Sequence, residues 1–103
     1  MWAQLITTRL KEGRDQDLSR LLDELRAAEQ ADSGWVRSSA MRDQHDPSRV
    51  MLMVVFESEE KARARENDPR REDGLREVRA TMAEIFEGVP EFTELIILRE
   101  LTP

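Results

Sequence analysis

Met51-Leu52-Met53-Val54-Val55-Phe56 is apolar at every position, and Leu95-Ile96-Ile97-Leu98 repeats the pattern near the other end of the chain. Successive side chains of a strand point to opposite faces of its sheet. A strand with one face in water therefore alternates apolar and polar residues. Neither segment alternates, so both faces of the sheet they form must be covered.

Working outward from Met51, the polar run Asp43-Gln44-His45-Asp46-Pro47-Ser48 predicts a hairpin loop. It joins a strand over Val50–Phe56 to an earlier strand over Trp35–Met41. Trp2 to Leu10 is rich in β-branched and aromatic residues and predicts the first strand, stopped by Lys11-Glu12-Gly13. Between the first two strands, Leu18, Leu21, Leu22, Leu25 and Ala28 recur at helical spacing. Asp15 is a candidate cap for this helix, Asp17, Arg20, Asp23, Glu24 and Arg26 are its expected wet side, and Ser33-Gly34 is its expected end. After Phe56, Ser58 predicts the cap of a short helix to about Asn67, and Asp68-Pro69 breaks it. Leu75, Val78, Met82, Ile85 and Phe86 mark another amphipathic helix, ended by Gly88 and Pro90. Phe92 to Leu101 predicts the last strand.

The order β-α-β-β-α-β, with its second helical region broken in two, is that of a ferredoxin-like α+β sandwich. A four-stranded antiparallel sheet with helices on one face is expected, as one domain over residues 1–103. The helices cover one sheet face, and no further segment is left for the other. A second copy is the simplest cover, so the expected assembly is a homodimer joined through sheet faces, a dimeric α+β barrel.

Composition narrows the function classes. Sixteen basic against 22 acidic residues give a net charge of −6, which repels phosphate backbones and argues against nucleic acid as a partner. The absence of cysteine excludes a disulfide framework and a thiolate metal site. No apolar run approaches the roughly 20 residues that span a bilayer, so no membrane association is expected. The N-terminal stretch has no signal-peptide pattern, and a cytoplasmic location follows as the default.

From Gly34 onward the pattern becomes more specific. Gly34-Trp35-Val36-Arg37 leads to Arg42-Asp43 before a turn with Asp46-Pro47, and the apolar strand then ends Phe56-Glu57-Ser58-Glu59-Glu60-Lys61-Ala62. This resembles the antibiotic biosynthesis monooxygenase family of dimeric α+β barrels. The resemblance implies one of three kinds of member: cofactor-free oxygenases of aromatic polyketides, haem-degrading enzymes, or proteins of no assigned role. Haem-degrading relatives use an asparagine in the first strand, a tryptophan at the end of the third and a histidine in the following helix. Here the only asparagine is Asn67, Phe56 stands at the tryptophan position, and the single histidine, His45, falls in the hairpin loop. The resemblance therefore implies neither haem nor any other cofactor. By analogy with the family's pocket aromatic, Phe56 faces a pocket, which leaves Met51, Met53 and Val55 to face a partner. The chain has no tyrosine, one of the family's usual proton carriers.

The candidate substrate-binding residues are Gln4, Thr8, Trp35, Arg37, Ser39 and Phe56. Gln4 and Thr8 share one face of the first strand, and Arg37 and Ser39 share one face of the second. Polar groups converging in an apolar cavity orient a small ligand, and Arg37 suits an anionic or enolate oxygen. The same side chains would equally serve an edge strand in water. Trp35 and Trp2 either stack on an aromatic ligand or pack in the core. His45 is a candidate base only if its loop folds over a site. The basic residues between Lys61 and Arg79 interleave with acidic ones, with Glu59/Arg63 and Glu72/Arg76 at ion-pair spacing. No catalytic residue and no metal ligand can be assigned. Two functions remain open: a cofactor-free, monooxygenase-like enzyme acting on a small hydrophobic or aromatic molecule, and a noncatalytic dimer that binds a ligand or serves as a scaffold.

Overall fold

The computed structural model describes residues 1–103. In chain order it contains β1 (Trp2–Leu10), α1 (Asp17–Ala28), β2 (Trp35–Asp43), β3 (Asp46–Phe56), α2 (Glu59–Glu66), a 3-10 turn (Pro69–Arg71), α3 (Glu72–Ile85) and β4 (Phe86–Ile96). The strands form one four-stranded sheet in the order β2-β3-β1-β4, antiparallel at every junction. This is the α+β, ferredoxin-like arrangement that the order of elements predicts.

Alternation along β3 divides the sheet. Val50 and Leu52 point toward the helices and join Leu10, Leu21, Val78 and Ile85 in the main core. Leu18, Leu22 and Leu25 of α1 and Met82 of α3 close around them. Burying each such aliphatic side chain contributes about 1.5–3 kcal/mol, so this helix–sheet layer dominates the stability. A smaller cluster of Trp2, Phe56 and Ala62, with Trp35 and Val54 against it, seats α2 at the other end of the same face. Met51, Met53 and Val55 point to the opposite, open face. The two long helices meet closely where Gly74 lies against Ala28: a Cβ at position 74 would sit 2.7 Å from the Ala28 Cβ.

Several local expectations change. Asp15 does not cap α1; Gln16 occupies that position with no side-chain bond, and Asp15 pairs instead with Arg42 at 2.7 Å. The helix ends at Ala28, well before Gly34. Gly34, at φ +82°, makes the turn into β2 where its missing side chain leaves room for Lys61. The hairpin is tighter than the polar run suggests: Asp43 pairs with Asp46, and only Gln44 and His45 turn. Ser58 does cap α2, accepting from the Lys61 N–H at 3.2 Å.

Gly88 and Pro90 do not stop α3 but belong to β4. Phe86 pairs with Leu10, so the chain enters the strand directly from Ile85. A register shift between Thr7 and Arg9 and the positive φ of Gly88 absorb the irregular stretch. Pro90 is tolerated because β4 is an edge strand. The strand ends at Ile96 rather than Leu101. Beyond it the chain crosses the end of the sheet. The Ile97 N–H donates to the Met1 carbonyl at 3.1 Å, and Glu100 pairs with Arg37 on the far edge strand. Part of the open face therefore has an intramolecular cover. Ala3 and Val55 are buried at that end.

Candidate functional site

A cavity of about 250 Å³ opens between α1, α2 and the helix-facing side of β2 and β3. Leu22, Leu25, Val54 and Trp35 form its apolar walls. Its polar groups come from three elements: Ser19, Asp23 and Arg26 on α1 with Glu29 just beyond, Ser38 on β2, and Arg65 on α2. Leu25, Arg26 and Glu29 lie three, four and seven residues beyond Leu22, so they fall on its side of the helix.

Trp35 reaches this cavity because of a bulge. Trp35 pairs with Phe56 and Arg37 pairs with Val55, which leaves Val36 as an extra residue. The bulge puts Trp35 and Ser38 on the helix-facing side, where the Trp35 Nε1 donates to the Ser38 Oγ at 2.8 Å. It puts Arg37 and Ser39 on the open face. Of the six candidates read from the sequence, only Trp35 lines the cavity. Phe56 lies beside it under Arg65, whose guanidinium carbon is 4.9 Å from the ring centre. Gln4 is opposite Val54, one strand further in. Thr8 is buried near a shallow depression by the β4 irregularity. Arg37 and Ser39 are exposed on the other side of the sheet, and Arg37 is tied to Glu100. His45 is exposed in the hairpin turn, where its backbone N–H bonds the Asp43 carboxylate at 2.8 Å.

The floor of the cavity is ionic. Both Glu29 oxygens accept from the Arg65 Nε at 2.8 Å, and Nη2 approaches Oε1 at 2.7 Å. Burial pushes the Glu29 carboxyl up, but bonds from Arg65 and Ser33 and the charges of Arg65 and Arg71 outweigh it. The net result lies below the usual carboxylate range. Arg71 is 5% exposed; its Nη1 donates to the Arg65 carbonyl at 3.3 Å, while its Nε is buried without a partner. Burial, then the nearby Arg65 charge, lowers the Arg71 pKa. Arg26 was expected on the wet side of α1. It is exposed, but at the cavity rim, and its guanidinium has no ion-pair partner. The signal for it was present in its spacing of four from Leu22. No such signal separated buried Arg71 from exposed Arg70.

The remaining charges behave as a solvated face. Arg63 pairs with Glu59 as expected and also with Glu66 and Glu94. Glu72 takes Arg79 rather than Arg76, which turns to Asp73. No group of three or more His, Asp or Glu side chains is arranged around a common metal position. No helix is long and apolar enough to cross a membrane.

A cavity between the helices and an antiparallel sheet of this order, on a chain with the Gly34–Ala62 pattern, defines a recognisable class. The model of the antibiotic biosynthesis monooxygenase family matches residues 1–77, and the chain belongs to that family. Solved structures share the fold. SnoaB, a cofactor-independent oxygenase from Streptomyces nogalater, is 13% identical with a TM-score of 0.69 over 99% of this chain and 98% of that one. Rv0793 from Mycobacterium tuberculosis is 17% identical with a TM-score of 0.68 over 98% of each chain. MhuD, in a structure with two manganese protoporphyrin IX molecules per active site, is 15% identical with a TM-score of 0.72 over 100% of both. At these identities the likeness is one of fold. No curated protein sequence matches the chain.

Proposed function

We propose that the protein binds a small hydrophobic, aromatic molecule in the α1–α2–sheet cavity and acts on it as a cofactor-free, monooxygenase-like enzyme. The observation that carries this reading is the cavity itself. It has about 250 Å³ of space and an aromatic wall, Trp35, whose orientation is set by its bond to Ser38. Concave sites that join apolar walls to fixed polar groups are where proteins hold small ligands, and here four apolar residues stand beside six polar ones. The substrate supplies the electrons: a CH₂ between aromatic rings loses a proton to give a stabilised carbanion, which reacts with O₂. Overall, R₂CH₂ + O₂ gives R₂C=O + H₂O, with one oxygen atom in the new carbonyl and the other in water. The protein contributes a site shielded from bulk water, donors that favour the deprotonated form, and orientation. The test is oxygen uptake with anthrone at neutral pH. Uptake matching product one to one, well above the spontaneous rate, supports the reading; uptake at the spontaneous rate overturns it.

A noncatalytic binding role is favoured by one observation. The only carboxylate on the cavity floor, Glu29, is saturated by Arg65 and held as a weak base. Ligand binding without oxygen uptake would select that role.

The assembly belongs to the same proposal: a homodimer through the open sheet face. Met51, Met53 and Leu5 are only partly buried there in one chain, and Met41 is 40% exposed. A twin sheet laid on this face would remove about 1,600 Å² from water, the size of a standard stable interface.

A further inference from the structure

The charges that line the cavity are balanced and do not select a charged ligand. Glu29 and Arg65 hold one another, and the Arg65 guanidinium lies over the Phe56 ring. Ser19, Asp23 and Arg26 are exposed on α1, where water solvates them at the rim. Ser38 is different. It is half-buried on β2, carries no charge and lines the cavity. Its Oγ accepts from the Trp35 Nε1 at 2.8 Å, and its own hydrogen goes to no protein acceptor. An indole N–H only donates, so that hydrogen cannot be returned to Trp35. A hydroxyl that already accepts one hydrogen bond is polarised into a stronger donor toward its next partner. While the cavity holds water, water supplies the acceptor. A ligand that displaces the water must supply it instead, because a buried donor left without an acceptor is costly. The place of that acceptor is fixed as well. The indole N–H lies in the plane of its ring, so the Ser38 Oγ sits at the edge of Trp35. A ligand ring packed against Trp35, Leu25 and Val54 reaches Ser38 through a group on its own periphery.

We infer that Ser38 sets the specificity and orientation of the ligand: the cavity takes an uncharged aromatic ketone whose ring carbonyl accepts from the Ser38 hydroxyl. This inference rests on the proposed cavity site and specifies how that site reads its ligand. Trp35 acts through Ser38 as a positioning residue, since its N–H holds the hydroxyl oxygen and leaves the hydrogen to the ligand. An aromatic hydrocarbon of the same shape fills the apolar walls but leaves that hydrogen unmatched.

The experiment uses the full chain and two probes of nearly equal shape, 1-tetralone and tetralin, which differ in the carbonyl oxygen. Each is titrated while the Trp35 indole N–H is followed by NMR, with Trp2 as the internal control. The carbonyl stretch of bound tetralone is read by infrared spectroscopy. In the wild-type protein the stretch should lie below its value in hexane, and in Ser38→Ala it should rise toward that value. Ser38→Ala should weaken tetralone binding by about fivefold, the loss of one hydrogen bond, and leave tetralin binding unchanged. Ser38→Thr, which keeps the hydroxyl, should restore both readings. An unlowered stretch in the wild type, or an equal effect of Ser38→Ala on the two probes, overturns the role of Ser38 and leaves the cavity assignment standing. If neither probe shifts the Trp35 resonance at millimolar concentration, both fall.

Discussion

Trp35 and Ser38 stand three residues apart in one strand yet meet on the same face of the sheet, the indole Nε1 donating to the hydroxyl at 2.8 Å. In a regular strand residues i and i+3 point to opposite sides. The extra residue Val36 in the pairing of β2 with β3 reverses that relationship. One bulge thus decides which side chains of β2 reach the cavity.

Replacing Ser38 should therefore affect the cavity, and replacing its neighbour should not. Ser38→Ala leaves the Trp35 indole without its partner and should cost about 1 kcal/mol, with faster hydrogen exchange at that indole. Ser39→Ala, on the open face away from the indole, should leave the exchange of that indole unchanged. Denaturant titration and NMR exchange rates check both. Equal behaviour of the two variants would remove the bulge from the account.

The same bulge shows where sequence reading reaches its limit. Strand and helix order followed from the period of Leu18, Leu21, Leu22 and Leu25 and from the unbroken apolar run at Met51–Phe56, because burial imposes those patterns directly. Alternation divided β3 into two sets, but only the likeness of Phe56 to the family's pocket aromatic assigned Met51, Met53 and Val55 to the open side. The grouping of Trp35 with Arg37 and Ser39 did not survive as a single site, since a bulge is a property of pairing between two strands and leaves no mark on the composition of one. Arg71 is a similar case. It follows another arginine, and only the 3-10 turn begun by Pro69 sends one outward and the other inward. The crossing of the chain after Ile96 was also hidden, because its contacts with Met1 and Arg37 join residues far apart in sequence.

The open face gives a direct test of assembly. Met53 lies in its middle, opposite Leu5 and Ser39. Met53→Lys places a charge at the proposed dimer contact while leaving the helix-side core of Val50 and Leu52 intact. Wild-type protein should sediment at twice the 12.0 kDa chain mass, and the variant as a folded monomer. A wild-type monomer at micromolar concentration would rule out the dimer.

The Arg65–Glu29–Arg71 cluster predicts an acid limb of stability. The Glu29 carboxyl titrates below its ordinary value of 4.5 in the folded state, so the unfolded chain binds its proton first as pH falls. Its contribution is complete above about pH 4.5 and is lost as pH drops through the lower folded value. Glu29→Gln should destabilise the protein at pH 7 by roughly 3 kcal/mol, because two guanidinium groups lose their shared counter-charge. It should also flatten the decline below pH 4.5. Thermal unfolding of both proteins between pH 3 and pH 7 measures the difference; parallel curves would contradict it.

Gly34 carries two separate constraints. Its φ of +82° disfavours any side chain, and an added Cβ would lie 2.6 Å from Lys61 Cδ. Gly34→Ala should cost about 1–2 kcal/mol from the backbone alone, plus displacement of the lysine. In a Lys61→Gly background, which also removes the Lys61 Cβ at 2.8 Å, the second part should vanish and the first remain. Urea denaturation of the four proteins in this cycle separates the two.

The contact of Gly74 with Ala28 sets a rule for how this chain can diverge. The two positions share one small volume between α1 and α3, with room for a single methyl group. That methyl is carried by Ala28; a methyl at 74 would press on the residue 28 backbone even with glycine there, since it would lie 3.0 Å from the Cα. Two larger residues would force the helices apart next to Glu29 and widen the cavity that α1 walls. Across related chains the pair should therefore drift together, and lineages with bulkier residues at both places should accept larger ligands.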